Sequence, residues 1–189
     1  MGKCLFAALL LGAALSASAQ KNDVGVTFGG YITFDNPLNI GAAFAVEGSY
    51  ARRIASVPLL AVSAELPIAG STKSSIPTLN GTVLARSYTS LFISPGLRVR
   101  LAPRFFLSPY VAAGVGYGRF NRQLFNGLTS SDGAFVVDIG GGLDIKILRF
   151  VSLRGEIRDF NSSSIGLQEL IVRGRQNNLF FTLGLGARF

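Results

Sequence analysis

The sequence has no histidine, no tryptophan and a single cysteine, Cys4, among its 189 residues. Without histidine the usual general base of hydrolases and acyltransferases is missing, and metal sites built on imidazole go with it. Cys4 falls inside an amino-terminal apolar segment, so the rest of the chain offers neither disulfides nor a thiol nucleophile. Charged residues are few, at 15%, yet beyond that first segment no apolar run approaches the ~20 residues of a membrane-spanning helix. Carboxylates are the scarcer charge, 10 against 18 lysines and arginines, which leaves a formal net charge of +8. In a cytosolic protein that excess would point to nucleic acid. Here the basic residues are dispersed and follow an export signal, which points to anionic lipid headgroups and to no nucleic-acid partner.

What is present begins with that signal. Lys3 supplies a positive start, Leu5 to Leu15 a short apolar core, and Ala17-Ser18-Ala19 a small-residue cleavage site. Residues 1–19 are therefore expected to be a secretory signal peptide and residues 20–189 the mature domain. Glycine (23), phenylalanine (15) and proline (7) argue against helices and for pleated, half-buried surfaces.

Apolar residues recur with a period of two. Strand one, from about Asp23 to Tyr31, sets Val24, Val26 and Phe28 against Gly25, Thr27, Gly29 and Tyr31. Strand two sets Phe44, Val46 and Tyr50 against Ala45, Glu47 and Ser49. After a short link at Arg52-Arg53, strand three sets Leu60, Val62 and Leu66 against Ala61, Ser63 and Glu65. Pro67 to Arg86 is expected to be a long loop. Strand four carries Leu91, Ile93, Leu97 and Val99 outward and Phe92, Arg98 and Arg100 inward. Pro95-Gly96 marks a bulge or a broken pair in it, since a closed ladder has no free edge for proline. Strand five runs from about Leu107, strand six over Ala134 to Ile147, strand seven from Val151, and strand eight over Asn178 to Phe189. Loops are expected over Ile32 to Leu38, over Phe120 to Gly133 with its Asn126-Gly127 turn signal, and over Asn161 to Asn177. The connections at Arg52, Pro103 and Arg149 are short. Tyr50, Phe105, Phe106, Phe150 and Phe189 near one set of strand ends, with Phe34, Tyr88, Phe160 and Phe181 near the other, read as two interfacial girdles.

The predicted fold is all-β, an eight-stranded antiparallel up-and-down transmembrane β-barrel. Its closing strand, Asn178 to Phe189, has one wholly apolar face that ends on the terminal aromatic. With the stretches Ser108 to Tyr117 and Leu153 to Phe160, this ending resembles the small OmpA/OmpX-like (opacity or porin-like) outer-membrane β-barrel family. The resemblance implies a bacterial outer-membrane location, assembly by the barrel assembly machinery with Phe189 as its signal, and no fixed activity. No peptidoglycan-binding domain is expected after the barrel.

The inward positions collect charge: Glu47, Glu65, Asp138, Asp144 and Glu156 face Arg98, Arg100, Lys146, Arg154, Arg158 and Arg188. In so narrow a barrel these groups should meet as a paired network that plugs the lumen. The glycines of 114–118 and 140–142 lack the helix of a nucleotide-binding loop and read as space for long inward side chains. No metal or other cofactor is expected. Lys73, Arg173 and Arg175 should lie outside the cell, near lipopolysaccharide phosphates. The reading is a monomer with a structural or surface-interaction role. The alternatives are a narrow porin-like channel, a soluble lipocalin-like binder and a lipid-modifying enzyme.

Overall fold

The structure, a computed structural model, describes residues 21–34, 42–74, 87–123, 129–162 and 176–189. The expected signal peptide, the Asn126-Gly127 turn, and Arg173 and Arg175 lie outside the described residues. Alternating apolar and small or polar residues cannot make the apolar stripe of a helix, but they suit a sheet with different solvents on its two faces. The described residues form strands and no helix: β1 Asn22–Phe34, β2 Ala43–Val57, β3 Leu60–Ser74, β4 Ser87–Ile93, β5 Gly96–Leu101, β6 Leu107–Gln123, β7 Thr129–Lys146, β8 Val151–Ser162 and β9 Gln176–Arg188.

Segments β4 and β5 are the two halves of one barrel strand, each paired with β3 on one side and β6 on the other. The break at Ser94-Pro95 falls where the proline demanded one, and Val115 N there donates to Pro95 O at 3.1 Å. Counted so, eight antiparallel strands each pair with their chain neighbours. The barrel closes where β1 pairs with β9, from Asp23 opposite Arg188 to Phe34 opposite Asn177. Closure gives every strand two hydrogen-bonded neighbours, as a wall facing hydrocarbon requires.

The faces are inverted relative to a soluble protein. Val111, Ile139, Leu183 and Leu185 are more than half exposed on the outer wall, whereas Arg98, Arg154 and Arg158 are at most 1% exposed inside. That inversion overturns the lipocalin-like alternative, which needs an apolar interior.

Where the described strand ends depart from expectation by more than one residue, the strands are longer. β2 continues through Arg52-Arg53 to Val57, and the tight turn lies at Pro58-Leu59. An extra residue, Ile54, bulges between Arg53 and Ala55 and permits this. Pro67 to Ser74 belongs to β3, not to a loop, with Pro67 opposite Ser49 and Lys73 opposite Tyr88. β1 keeps Ile32 to Phe34, β6 runs on to Gln123, and β7 starts at Thr129. Beyond the hydrocarbon layer the ladder bonds still form, but the outward residues no longer need to be apolar. The apolar pattern therefore stops before the strand does.

Candidate functional site

Every second residue of each strand points into the barrel, and these inward rows stack into two layers. Nearer the chain termini is an ionic layer. Arg158, on β8, spans the lumen: its Nη1 is 2.6 Å from Asp138 Oδ2 of β7, its Nη2 2.9 Å from Glu65 Oε1 of β3 and 2.6 Å from Glu156 Oε1, and its Nε 3.3 Å from Glu47 Oε1 of β2. Arg98 makes a paired contact with the carboxylate of Glu65 and lies over the Tyr110 ring at 4.3 Å. Tyr110 Oη donates to Glu156 Oε2 at 2.8 Å.

Closer to the termini the balance changes sign. Asp144 of β7 accepts from Arg154 at 2.8 Å and lies 2.8 Å from Arg100 and 2.6 Å from Arg188. Asp23 lies 2.7 Å from Arg154, 2.9 Å from Arg100 and 3.1 Å from Arg188. Asp23 was not among the expected lumen charges, although the period of two places it in the row of Gly25 and Thr27. Lys146 shares the inward row of Asp144 but is only half-buried at the mouth, and it enters none of the ion pairs among the described residues. Its place in the network is corrected accordingly: the strand has reached water, and an ammonium there needs no partner.

Glycines opposite the long side chains make the layer possible. A Cβ at Gly25 would run into the Arg154 guanidinium and one at Gly142 into the Tyr110 hydroxyl, while one at Gly140 would lie 3.0 Å from Arg158 Cγ. Side-chain volume removed from one wall is thus occupied from the other.

Above the ions is an aromatic layer that the sequence reading missed. Phe92 stacks on Phe160 with ring centroids 4.9 Å apart and meets Phe120 and Phe180 edge-on at 5.4 and 5.7 Å. Tyr31 packs on Phe180 at 4.9 Å, and its hydroxyl donates to Asn178 Oδ1 at 2.7 Å. Tyr88 and Phe160, expected in the outer girdle, belong to this layer at 1% and 0% exposure. Position near a strand end suggested the girdle, but parity with Arg158 puts Phe160 inside. Tyr50, Phe105, Phe106, Phe150 and Phe181 do face outward.

The two layers fill the lumen. A depression of about 540 Å³ lies on the outer wall over Phe28, Gly155, Ile157 and Phe181. Among the described residues no cluster of acidic side chains has the arrangement to hold a metal ion. Each lumen carboxylate is turned toward a guanidinium instead.

A closed wall with an apolar exterior and an ionic interior defines an outer-membrane β-barrel. The sequence matches the outer membrane protein beta-barrel domain over residues 4–189, and the chain belongs to that family. It is an outer-membrane protein. No curated protein matches it in sequence. Among solved structures it is similar to Neisserial surface protein A, NspA, at 13% identity and a TM-score of 0.65, over 89% of this chain and 97% of that one. The attachment invasion locus protein Ail of Yersinia pestis aligns at 12% identity and a TM-score of 0.58, over 90% and 100% of the two chains. Ail has also been solved with the heparin analogue sucrose octasulfate. The outer membrane enzyme PagL aligns at 12% identity and a TM-score of 0.51, over 89% and 99%. Likeness at such identity establishes the fold that a surface protein, an attachment invasion locus protein and an enzyme share, and leaves the role to this chain's own residues.

Proposed function

We propose that this protein is a sealed, non-catalytic, monomeric barrel whose exterior loops carry its interactions. The observation behind this reading is the doubly filled lumen, with a buried aromatic layer over a buried ionic one. Ion conduction needs a continuous wet path, and two stacked plugs of different chemistry oppose one. Lipid-modifying chemistry needs an activated nucleophile, and a chain without histidine lacks the usual base. In planar bilayers the refolded protein should insert without a steady single-channel conductance. An ohmic, reproducible conductance would replace this reading with the channel. Mass spectrometry of lipid A after expression should show no change; a lost or added acyl chain would establish an enzyme.

In this reading the long connections face the exterior, where Lys73, Arg173 and Arg175 would meet lipopolysaccharide phosphates. That Ail, a barrel of the same fold, has been solved with the heparin analogue sucrose octasulfate supports polyanion contact for this one. An epitope inserted after Ser74 should be labelled on intact cells. Labelling only after the outer membrane is breached would mean the opposite orientation. The signal peptide of residues 1–19 and the terminal aromatic supply the route. Deleting Phe189 should lower the folded, heat-modifiable form much more than total translated protein. Undiminished folded protein in the outer membrane after that deletion would remove Phe189 from assembly.

A further inference from the structure

The end of the barrel that carries the termini is bound into one ring by backbone hydrogen bonds. Ala102 N donates to Leu59 O at 2.8 Å, Lys146 N to Phe106 O at 2.9 Å and Arg188 N to Phe150 O at 2.8 Å. Asn22 N then donates to Phe189 O at 2.8 Å, and Arg53 N to Lys21 O at 2.7 Å, completing the circuit. At Ala102 the chain takes a left-handed conformation, φ 46°, and Ser108 Oγ donates to its carbonyl at 2.9 Å. A strained alanine tied in this way belongs to a rigid turn rather than a loose one.

The solvent-accessible charged side chains described on this ring are basic. Lys21, Arg53 and Lys146 continue the inward rows at the mouth, and Arg52, Arg104 and Arg149 stand outside them. The acidic side chains described at this end, Asp23 and Asp144, are buried beneath arginines at 5% and 0% exposure. Exposed apolar residues stand near these cations: Ile54 beside Arg53 at the end of β2 with Leu59 on the turn that follows, Phe105 and Phe106 on the second turn, and Ile147 and Phe150 on the third, all 58–66% exposed. The apolar groups are spread around the circumference rather than gathered on one flank. A folded partner would need a single patch, whereas a membrane plane meets all three turns at one depth.

We infer that this ring is a docking collar for anionic phospholipid headgroups of the periplasmic leaflet. Its apolar turn residues enter the interface, and its arginines meet the phosphodiesters. The short-turn end of this class of barrel faces the periplasm, so the collar concerns the leaflet opposite the exterior loops. The rigid backbone ring places the cations before the lipid arrives, which reduces the ordering cost of binding.

The test uses the full mature protein in nanodiscs of phosphatidylcholine mixed with phosphatidylglycerol. Native mass spectrometry after release counts the lipids retained. The wild type should retain phosphatidylglycerol in preference to phosphatidylcholine. The triple variant Arg52→Gln, Arg53→Gln, Arg104→Gln should lose that preference, at roughly fivefold per cation. The matching arginine-to-lysine triple should keep it, and so should Arg119→Gln, which lies at the opposite end. Heat-modifiable migration verifies folding; Arg104→Gln alone, on an exposed turn, gives the single-cation step if the triple does not fold. An unchanged preference in the folded glutamine variants, or its loss in Arg119→Gln, overturns the collar. Saturable binding of inorganic phosphate in detergent that also abolishes the lipid preference would make the site an anion pocket and overturn the lipid assignment.

Discussion

Arg158→Ala is expected to lower the unfolding free energy of the barrel in detergent by about 3–5 kcal/mol, the cost typical of breaking a buried pair and stranding the opposite charge. The charge inventory explains why the arginine, and not a carboxylate, is the sensitive partner there. Glu47, Glu65, Asp138 and Glu156 surround Arg158, and among the described residues Arg98 is the other guanidinium within 4 Å of any of them. Losing Arg158 leaves Arg98 against all of these carboxylates in a desolvated layer. Glu47 loses the most, since neither of its oxygens accepts a hydrogen bond and Arg158 is its ion-pair partner. Glu156→Ala strands no cation, because Arg158 keeps Asp138 and Glu65; its cost should be about 1–3 kcal/mol, from the orphaned Tyr110 hydroxyl. Nearer the mouth the order reverses. Arg100, Arg154 and Arg188 share Asp23 and Asp144, so Asp144→Ala should cost more there than Arg100→Ala. Denaturant midpoints of these four variants, with slopes, decide the matter. Equal effects for Arg158→Ala and Glu156→Ala would mean that water screens the layer and the inventory does not govern it.

Much of this arrangement was legible in the sequence because lipid and lumen impose opposite demands on alternate residues. Glu47, Glu65, Arg154, Glu156 and Arg158 could be assigned inward from parity alone, and Pro95 announced the one broken strand. The missed parts have a common origin in the outer wall. Apolar residues mark where a strand leaves the hydrocarbon, but the backbone ladder of β3 continues to Ser74 because hydrogen bonding, not hydrophobicity, sustains it there. Aromatic residues near strand ends suit the membrane interface and a lumen equally. For Tyr88 and Phe160 the parity of their strands points inside, and the narrow upper lumen accepts six rings in stacked, tilted and edge-on contacts: Tyr31, Tyr88, Phe92, Phe120, Phe160 and Phe180. Which inward residues touch across the barrel was not readable at all. It depends on how the strands are staggered around the closure, and so on Asp23 meeting Arg188 across the seam.

Phe92→Ala is expected to have an effect of similar size, about 3–5 kcal/mol, as is typical when a buried phenylalanine is truncated in a packed core. Phe92 is at 0% exposure and touches three other rings, so its removal leaves a void that Gly118 opposite cannot fill. Tyr31→Phe keeps the ring and removes one hydroxyl bonded to Asn178, and should cost only about 1 kcal/mol. Conductance then separates the two layers. With Phe92 truncated, the ionic layer beneath still spans the barrel through Arg158, Arg98 and Arg154, so the folded variant should remain closed in planar bilayers. If Phe92→Ala alone opens a steady conductance, the ionic layer is a hydrated path and the aromatic layer is its gate. The barrel would then be a channel held shut by its rings, and the sealed reading would have to be withdrawn.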